Sequence, residues 1–198
     1  MKLPKFIYNI FKPFINFFKE INDNSSGKKI LILWVIIAFF AVIVLSKTFF
    51  ENFANNNTLG VDISNISSND HIFFAVKKKS LDYDDVQIGQ YIMFHTTKME
   101  PHVSRNVAII KKVVAKEGDH IQIKGLDFLV NGKKMASLRP QALEKLKTNE
   151  AEMQKEFIVS KNSVIVLGSY ERSYDSRYWG ELTFKEGEKV NNAKPILF

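Results

Sequence analysis

Three patterns of apolar and polar positions follow one another along the chain. Between Leu3 and Phe18, apolar residues fall at Leu3, Phe6, Ile7, Ile10, Phe11, Phe14 and Phe18, with lysines between them. That spacing predicts an amphipathic helix, kinked near Pro13 and lying in a membrane interface; a helix packed on a partner helix is the alternative. From Ile30 to Leu45 the only polar side-chain group is the Trp34 indole, so no face is polar. Sixteen helical residues span about 24 Å, and extension to Phe50, with Lys47 snorkelling, brings the length to that of a hydrocarbon core. A transmembrane helix over 30–50 is expected, with a cleavable leader ending at Val44-Leu45-Ser46 as the competing reading.

Beyond a polar, loop-like stretch ("ENFANNNTLG"), short runs of β type take over: "HIFFAV", "YIMFH", "NVAIIKKVVA", "HIQI", "DFLVNGKKM", "EFIV", "SVIVLG" and "KPILF". Gly, Asn and Asp punctuate them, and Asn131-Gly132 is a strong hairpin signal. Arg139 to Glu156 is instead rich in helix formers and charge, which predicts one exposed helix inserted into an otherwise mostly β domain. The expected organisation is a segment 1–29, a span 30–50 and a β domain 51–198 with its insertion at 139–156.

Charge changes this picture in one respect. The net charge is +7, and residues 1–29 hold six lysines against Glu20 and Asp23. Basic residues just before an apolar span place the N-terminus in the cytoplasm and the β domain on the far side of the membrane. A binder of nucleic acid would rest on net charge alone, since the β runs lack a basic-aromatic pattern, so no nucleic acid is expected. Four scattered histidines (71, 95, 102, 120) and no cysteine offer no paired metal-ligand spacing, and no cofactor or metal is expected.

Two features carry candidate chemistry. Lys111 and Lys112 interrupt the apolar run "VAIIKKVVA", and adjacent residues of a strand face opposite sides. If both sides are covered, one lysine is desolvated, its pKa falls, and a neutral amine becomes available as a base. An edge strand with both ammonium groups in water is the alternative. The second feature is "SYDSRYWG", Ser173 to Gly180, where hydroxyls, a carboxylate and a guanidinium crowd together. A solvated turn is the plain reading of it.

Together, "KKVVAKEGD", "HIQIKGLDFLVNGKKM" and "SYDSRYWG" resemble the type I signal peptidases, the S26 serine–lysine proteases, and most nearly their conjugative-transfer, pilin-processing (TraF) branch. In that family the corresponding stretches run K-R-V-x-G-x-P-G-D, a hairpin ending V-N-G-K, and S-x-D-S-R-x-x-G. Lys112 stands at the Arg position, Ala115 at the Gly and Glu117 at the Pro. "VQIGQYIMF" is similar to the preceding strand, with Gln90 in place of an Asp.

The resemblance implies a coiled β-sheet peptidase domain, Lys111 as general base, and a serine nucleophile after the span. Alignment of "SSNDHIF" with the pilin-branch pattern Ser-(Leu/Met)-Pro-x-Gly-(Leu/Ile)-(Tyr/Phe) selects Ser67, with Ser68 as the alternative. Asn65, two residues earlier, would donate to the oxyanion. Ser173 would orient the lysine, and Asp175 with Arg177 would form a structural pair. The implied protein is a membrane-anchored serine endopeptidase of a bacterial inner membrane, single-pass, with a periplasmic catalytic domain. It would act on membrane-tethered preproteins or propilins in conjugative pilus (type IV secretion) maturation, beside conjugative secretion components and in contact with the lipid bilayer. Housekeeping signal peptidase I, or an inactive assembly factor on the same fold, are the alternatives.

Overall fold

The computed structural model describes residues 12, 16, 25–62, 69–184 and 189–197. The expected interfacial helix over Leu3–Phe18 falls outside them, apart from Lys12 and Asn16. The chain divides into two compact units, Met1–Asn55 and Asn56–Phe198.

In the first unit, helix α1 spans Ser25–Asn56, and its segment Ile30–Asn56 is long and apolar enough to cross a membrane, with the large apolar side chains along it exposed. That segment measures about 40 Å at 1.5 Å per residue. The helix therefore runs past the expected boundaries 30–50 at both ends. The reason lies in its polar residues. Ser46 and Thr48 donate back to the carbonyls of Ile43 and Val44, and Lys47 pairs with Glu51 one turn on, so none of them breaks the helix.

The described residues of the second unit form two antiparallel sheets. Its strands are β1 (Asn57–Val61), β2 (Phe73–Ser80), β3 (Tyr91–Phe94), β4 (Ile109–Lys116), β5 (His120–Lys124), β6 (Asp127–Val130), β7 (Lys133–Ser137), β8 (Lys155–Ile158), β9 (Ser163–Leu167), β10 (Leu182–Thr183) and β11 (Asn191–Leu197). Seven form one sheet in the order β1-β2-β11-β3-β4-β9-β10, and four form the other in the order β7-β6-β5-β8. The runs read from the alternation are all present as strands. "ENFANNNTLG", read as a loop, instead supplies the end of α1 and then β1, because Asn57–Val61 pairs in register with Phe73–Lys77. Its polar residues sit on an edge strand, where water can solvate them.

Strand β4 passes directly into β5 through a turn at Gly118, φ +87°, and so joins the two sheets. Asp119 fixes that turn by accepting from the Lys116 amide at 2.8 Å and from Asn131 Nδ2 at 2.8 Å. Asn131 and Gly132 take φ of 50° and 77°, the left-handed pair a tight hairpin between β6 and β7 requires. Apolar residues of both sheets, including Ala115, Ile165 and Leu167 of one and Ile121, Phe128 and Val130 of the other, close over a shared core. A further cluster around Ile92, Phe94, Val113, Val164 and Val166 belongs to the larger sheet alone.

The insertion departs from the single exposed helix expected over 139–156. Two short helices form, α2 (Pro140–Lys145) and α3 (Glu150–Met153), separated by Lys147 at φ +56°. Asn149 restarts the helix by accepting from the Glu152 amide while its own Nδ2 donates to the Glu152 carboxylate. Nor is the insertion wholly exposed, since Leu143 and Met153 are buried in the shared core. Two apolar anchors ten residues apart dock better from a bent segment than from one straight helix.

Candidate active site

Strand β4 sets the site by its alternation. Lys111 lies opposite Ile92 and Lys112 opposite Tyr91 on β3, so the two ammonium groups leave on opposite faces. Lys111 is 4% exposed. Its Nζ donates to Ser173 Oγ at 2.8 Å. Burial pushes its pKa down from 10.5 to about 8, against the attraction of Asp175 and Asp62 and assisted by the Arg177 charge. About one molecule in ten then carries the neutral amine at pH 7. Lys112, half-buried, places its ammonium 5.8 Å from the centroid of the Tyr91 ring. Of the adjacent pair, Lys111 is the one kept dry.

Ser173 owes its position to the residues that follow it. Asp175 caps the short helix α4 (Ser176–Trp179) by accepting from the Arg177 amide, and receives the Arg177 Nε at 2.8 Å on the same oxygen. Its other oxygen accepts from Arg177 Nη2 and from the Gly168 amide, both at 2.8 Å. The guanidinium donates further to the carbonyls of Tyr170, Glu171, Ser173 and Ser137. Both side chains are essentially inaccessible to water, at 0% and 2% exposure. Burial pulls the Arg177 guanidinium down, but Asp175 more than offsets it and holds it above its ordinary value. The solvated-turn reading of "SYDSRYWG" is thereby replaced. Buried and bidentate, the pair ties the 170–173 loop to the end of β9 and to β7 of the other sheet. Ser176 adds a bond by accepting from the Val166 amide, and Gly180, φ +88°, turns the chain after α4.

A cavity of about 400 Å³ opens onto the lysine, lined among others by Asp62, Asn69, Ile110, Lys111, Arg172 and Ser173. Ser67, its alternative Ser68, and Asn65 lie outside the described residues. The ends of their segment do not. Asn69 Nδ2 donates to Asp62 Oδ2 at 3.1 Å and to the Ile110 carbonyl at 2.9 Å, one residue from the lysine, and the Asp62 amide donates to the Ile72 carbonyl. Chain on both sides of the serines is thus fastened beside Lys111. Asp62 and Asn69 were not singled out from the sequence; the only hint was that polar residues flank the serine pair. Among the described residues no group of three or more His, Asp and Glu side chains converges as metal ligands would.

A neutral amine held by one hydroxyl, at the wall of such a cavity, can take a proton from a nucleophile brought to that cavity. The chain is similar in sequence to known proteins. The family model described as "Signal peptidase, peptidase S26" matches residues 28–197. A curated relative, a signal peptidase I from Leptolyngbya laminosa, is 30% identical over 108 residues, covering 53% of this chain; the chain spans about half (50%) of that relative. Among solved structures, a signal peptidase I from Enterococcus faecalis is 22% identical, covering 50% of this chain and 89% of that one, with a TM-score of 0.29.

Proposed function

The chain belongs to the S26 signal peptidase family, serine peptidases with a serine–lysine dyad, and from that premise we propose that it is a membrane-anchored endopeptidase that cuts signal peptides from preproteins. The observation that carries the reading is Lys111, buried, shifted towards neutrality and hydrogen-bonded by Ser173. In this mechanism Lys111 Nζ takes the proton of Ser67 Oγ, and the oxygen attacks the scissile carbonyl carbon. The Ser67 amide and the Asn65 side chain hold the oxyanion. As the tetrahedral adduct collapses, the Lys111 ammonium returns the proton to the departing amine; water, deprotonated by the same lysine, then adds to the acyl carbon, the bond to Ser67 Oγ breaks, and Lys111 returns that proton to Ser67 Oγ.

Helix α1 supplies the anchor, with the lysine-rich segment before it on the cytoplasmic side and the β domain outside the inner membrane. Enzyme and preprotein would then meet within the plane of one membrane. Maturation of propilins in conjugative transfer, yielding a linear or cyclised product, is a second reading. It rests on "KKVVAKEGDHI", Lys111 to Ile121, which lacks the Gly-x-Pro form. The signal-peptide reading takes precedence, because the family match and the curated relative are of that general kind.

The test uses the full-length chain in uncharged detergent and a preprotein substrate. Lys111→Ala and Ser67→Ala are each expected to lower kcat/KM by at least about 10⁴-fold, with Ser68→Ala close to the parent. A serine-reactive penem should label the parent and not Ser67→Ala. Undiminished processing by Lys111→Ala overturns the assignment. Absence of both cleavage and labelling in the parent favours the inactive assembly factor.

A further inference from the structure

A second cavity adjoins the one at Lys111. Its volume is about 440 Å³, and Val103, Arg172 and Tyr174 line both. Its charged walls are Arg139, immediately before α2, Lys145 in the last turn of α2, and Arg172 from the loop leading to Ser173, with His102 facing them. Among the described residues no aspartate or glutamate lines it. The ion pairs among the described residues involve other side chains. Ala142 and Leu146 supply an apolar floor, and the Tyr174 ring meets His102 edge-on at 5.7 Å between centroids.

This cavity is placed by the same framework that places the lysine. The Arg139 amide donates to the Tyr178 hydroxyl at 3.2 Å, and Tyr178 follows Arg177 in α4. Tyr174 stacks beside Tyr178 and directly follows Ser173. The basic walls are therefore built onto the buried clasp and keep a defined place relative to Ser173.

We infer that this cavity is a subsite for an acidic side chain of the peptide substrate. The inference rests on the endopeptidase reading above, whose site it extends. Two guanidinium groups and an ammonium without a lining carboxylate create a positive potential that a single Asp or Glu satisfies, and guanidinium suits a planar carboxylate. Because the two cavities share three residues, a chain presented to Lys111 runs past this wall. A lipid headgroup has no such obligation, so a peptide carboxylate is the occupant chosen. The pairs are partly solvated, so the preference is moderate, about tenfold in kcat/KM, and it fades with salt.

The test takes full-length chain in uncharged detergent and fluorogenic peptides that carry Ala-x-Ala before the scissile bond. A single Asp is walked along both sides of that bond. One position is expected to raise kcat/KM about tenfold over the Ala peptide. Arg139→Gln/Lys145→Gln should erase that gain, so that the Asp and Ala peptides are cleaved alike. Arg139→Glu/Lys145→Glu, which sets two carboxylates against Arg172, should transfer the preference to a Lys peptide. No acidic preference at any position, or one indifferent to Arg139 and Lys145, overturns the inference. If no peptide is cleaved, the endopeptidase reading fails by itself, and anisotropy of a labelled Asp peptide decides the cavity: tighter binding than the Ala peptide that is lost in Arg139→Gln/Lys145→Gln supports it, and equal binding refutes it. Competition by phosphatidylglycerol vesicles that ignores the peptide's charge assigns the cavity to lipid and also refutes it.

Discussion

Lys111 and Lys112 are consecutive residues of β4 with identical side chains, on opposite faces of one sheet. On one face the amine is sealed from water, bonded to Ser173 and shifted to about 8. On the other it reaches over the Tyr91 ring and stays partly hydrated. Chemistry intrinsic to lysine does not separate them. What separates them is the buried clasp of Asp175 and Arg177, which presses the loop bearing Ser173 onto one face. A reactive amine is thus a property of packing.

The sharpest way to break the comparison is to remove each lysine in turn. Lys111→Ala is expected to lose at least about 10⁴-fold in preprotein cleavage, and Lys112→Ala less than about tenfold, measured as kcat/KM. Equal losses would mean that the two faces do not differ functionally.

Next in size comes the clasp. Asp175→Ala leaves a buried guanidinium without its carboxylate and should cost about 3–5 kcal/mol in denaturant unfolding. The exposed Lys134–Asp127 pair provides the control, with Lys134→Ala costing less than about 1 kcal/mol.

A smaller effect of opposite sign is expected at Lys111 itself. Burial penalises its charged form, so the folded chain holds that proton less tightly than the unfolded chain does. The penalty is full below about pH 8 and vanishes as pH rises from about 8 to 10.5. Lys111→Met should therefore stabilise the protein by about 3 kcal/mol at pH 7, with the gain shrinking towards pH 10.5. Thermal denaturation across that range checks it, and a flat difference would refute the dry lysine.

The smallest effect concerns the pH–rate profile. Cleavage should rise through about pH 8 as Lys111 loses its proton. Asp62 is one of two carboxylates holding that pKa up, so Asp62→Asn should move the rise to lower pH. A move to higher pH would show that Asp62 acts otherwise.

Much of this was legible along the chain. Alternation located the strands, Asn131-Gly132 located the hairpin, and the resemblance of "SYDSRYWG" to the S26 pattern marked Asp175 and Arg177 as a pair. These are local features, set by residues within a few positions of one another. Other features were not local. Strand β1 was hidden because its polar residues gain a strand only by pairing with β2. The break at Lys147 was hidden because it serves the burial of Leu143 and Met153 against distant strands. The fastening of Asn69 to Asp62 and Ile110 depends on a contact forty-one residues away.

By itself the sequence determined that two lysines would point to opposite sides of a strand, since the backbone period of two admits nothing else. It also determined an apolar helix too uniformly hydrophobic to have a wet face. Only the tertiary structure decided which lysine is dry and which hydroxyl meets it. Desolvation is a sum over everything packed around a group, and that packing comes from residues about sixty positions away along the chain.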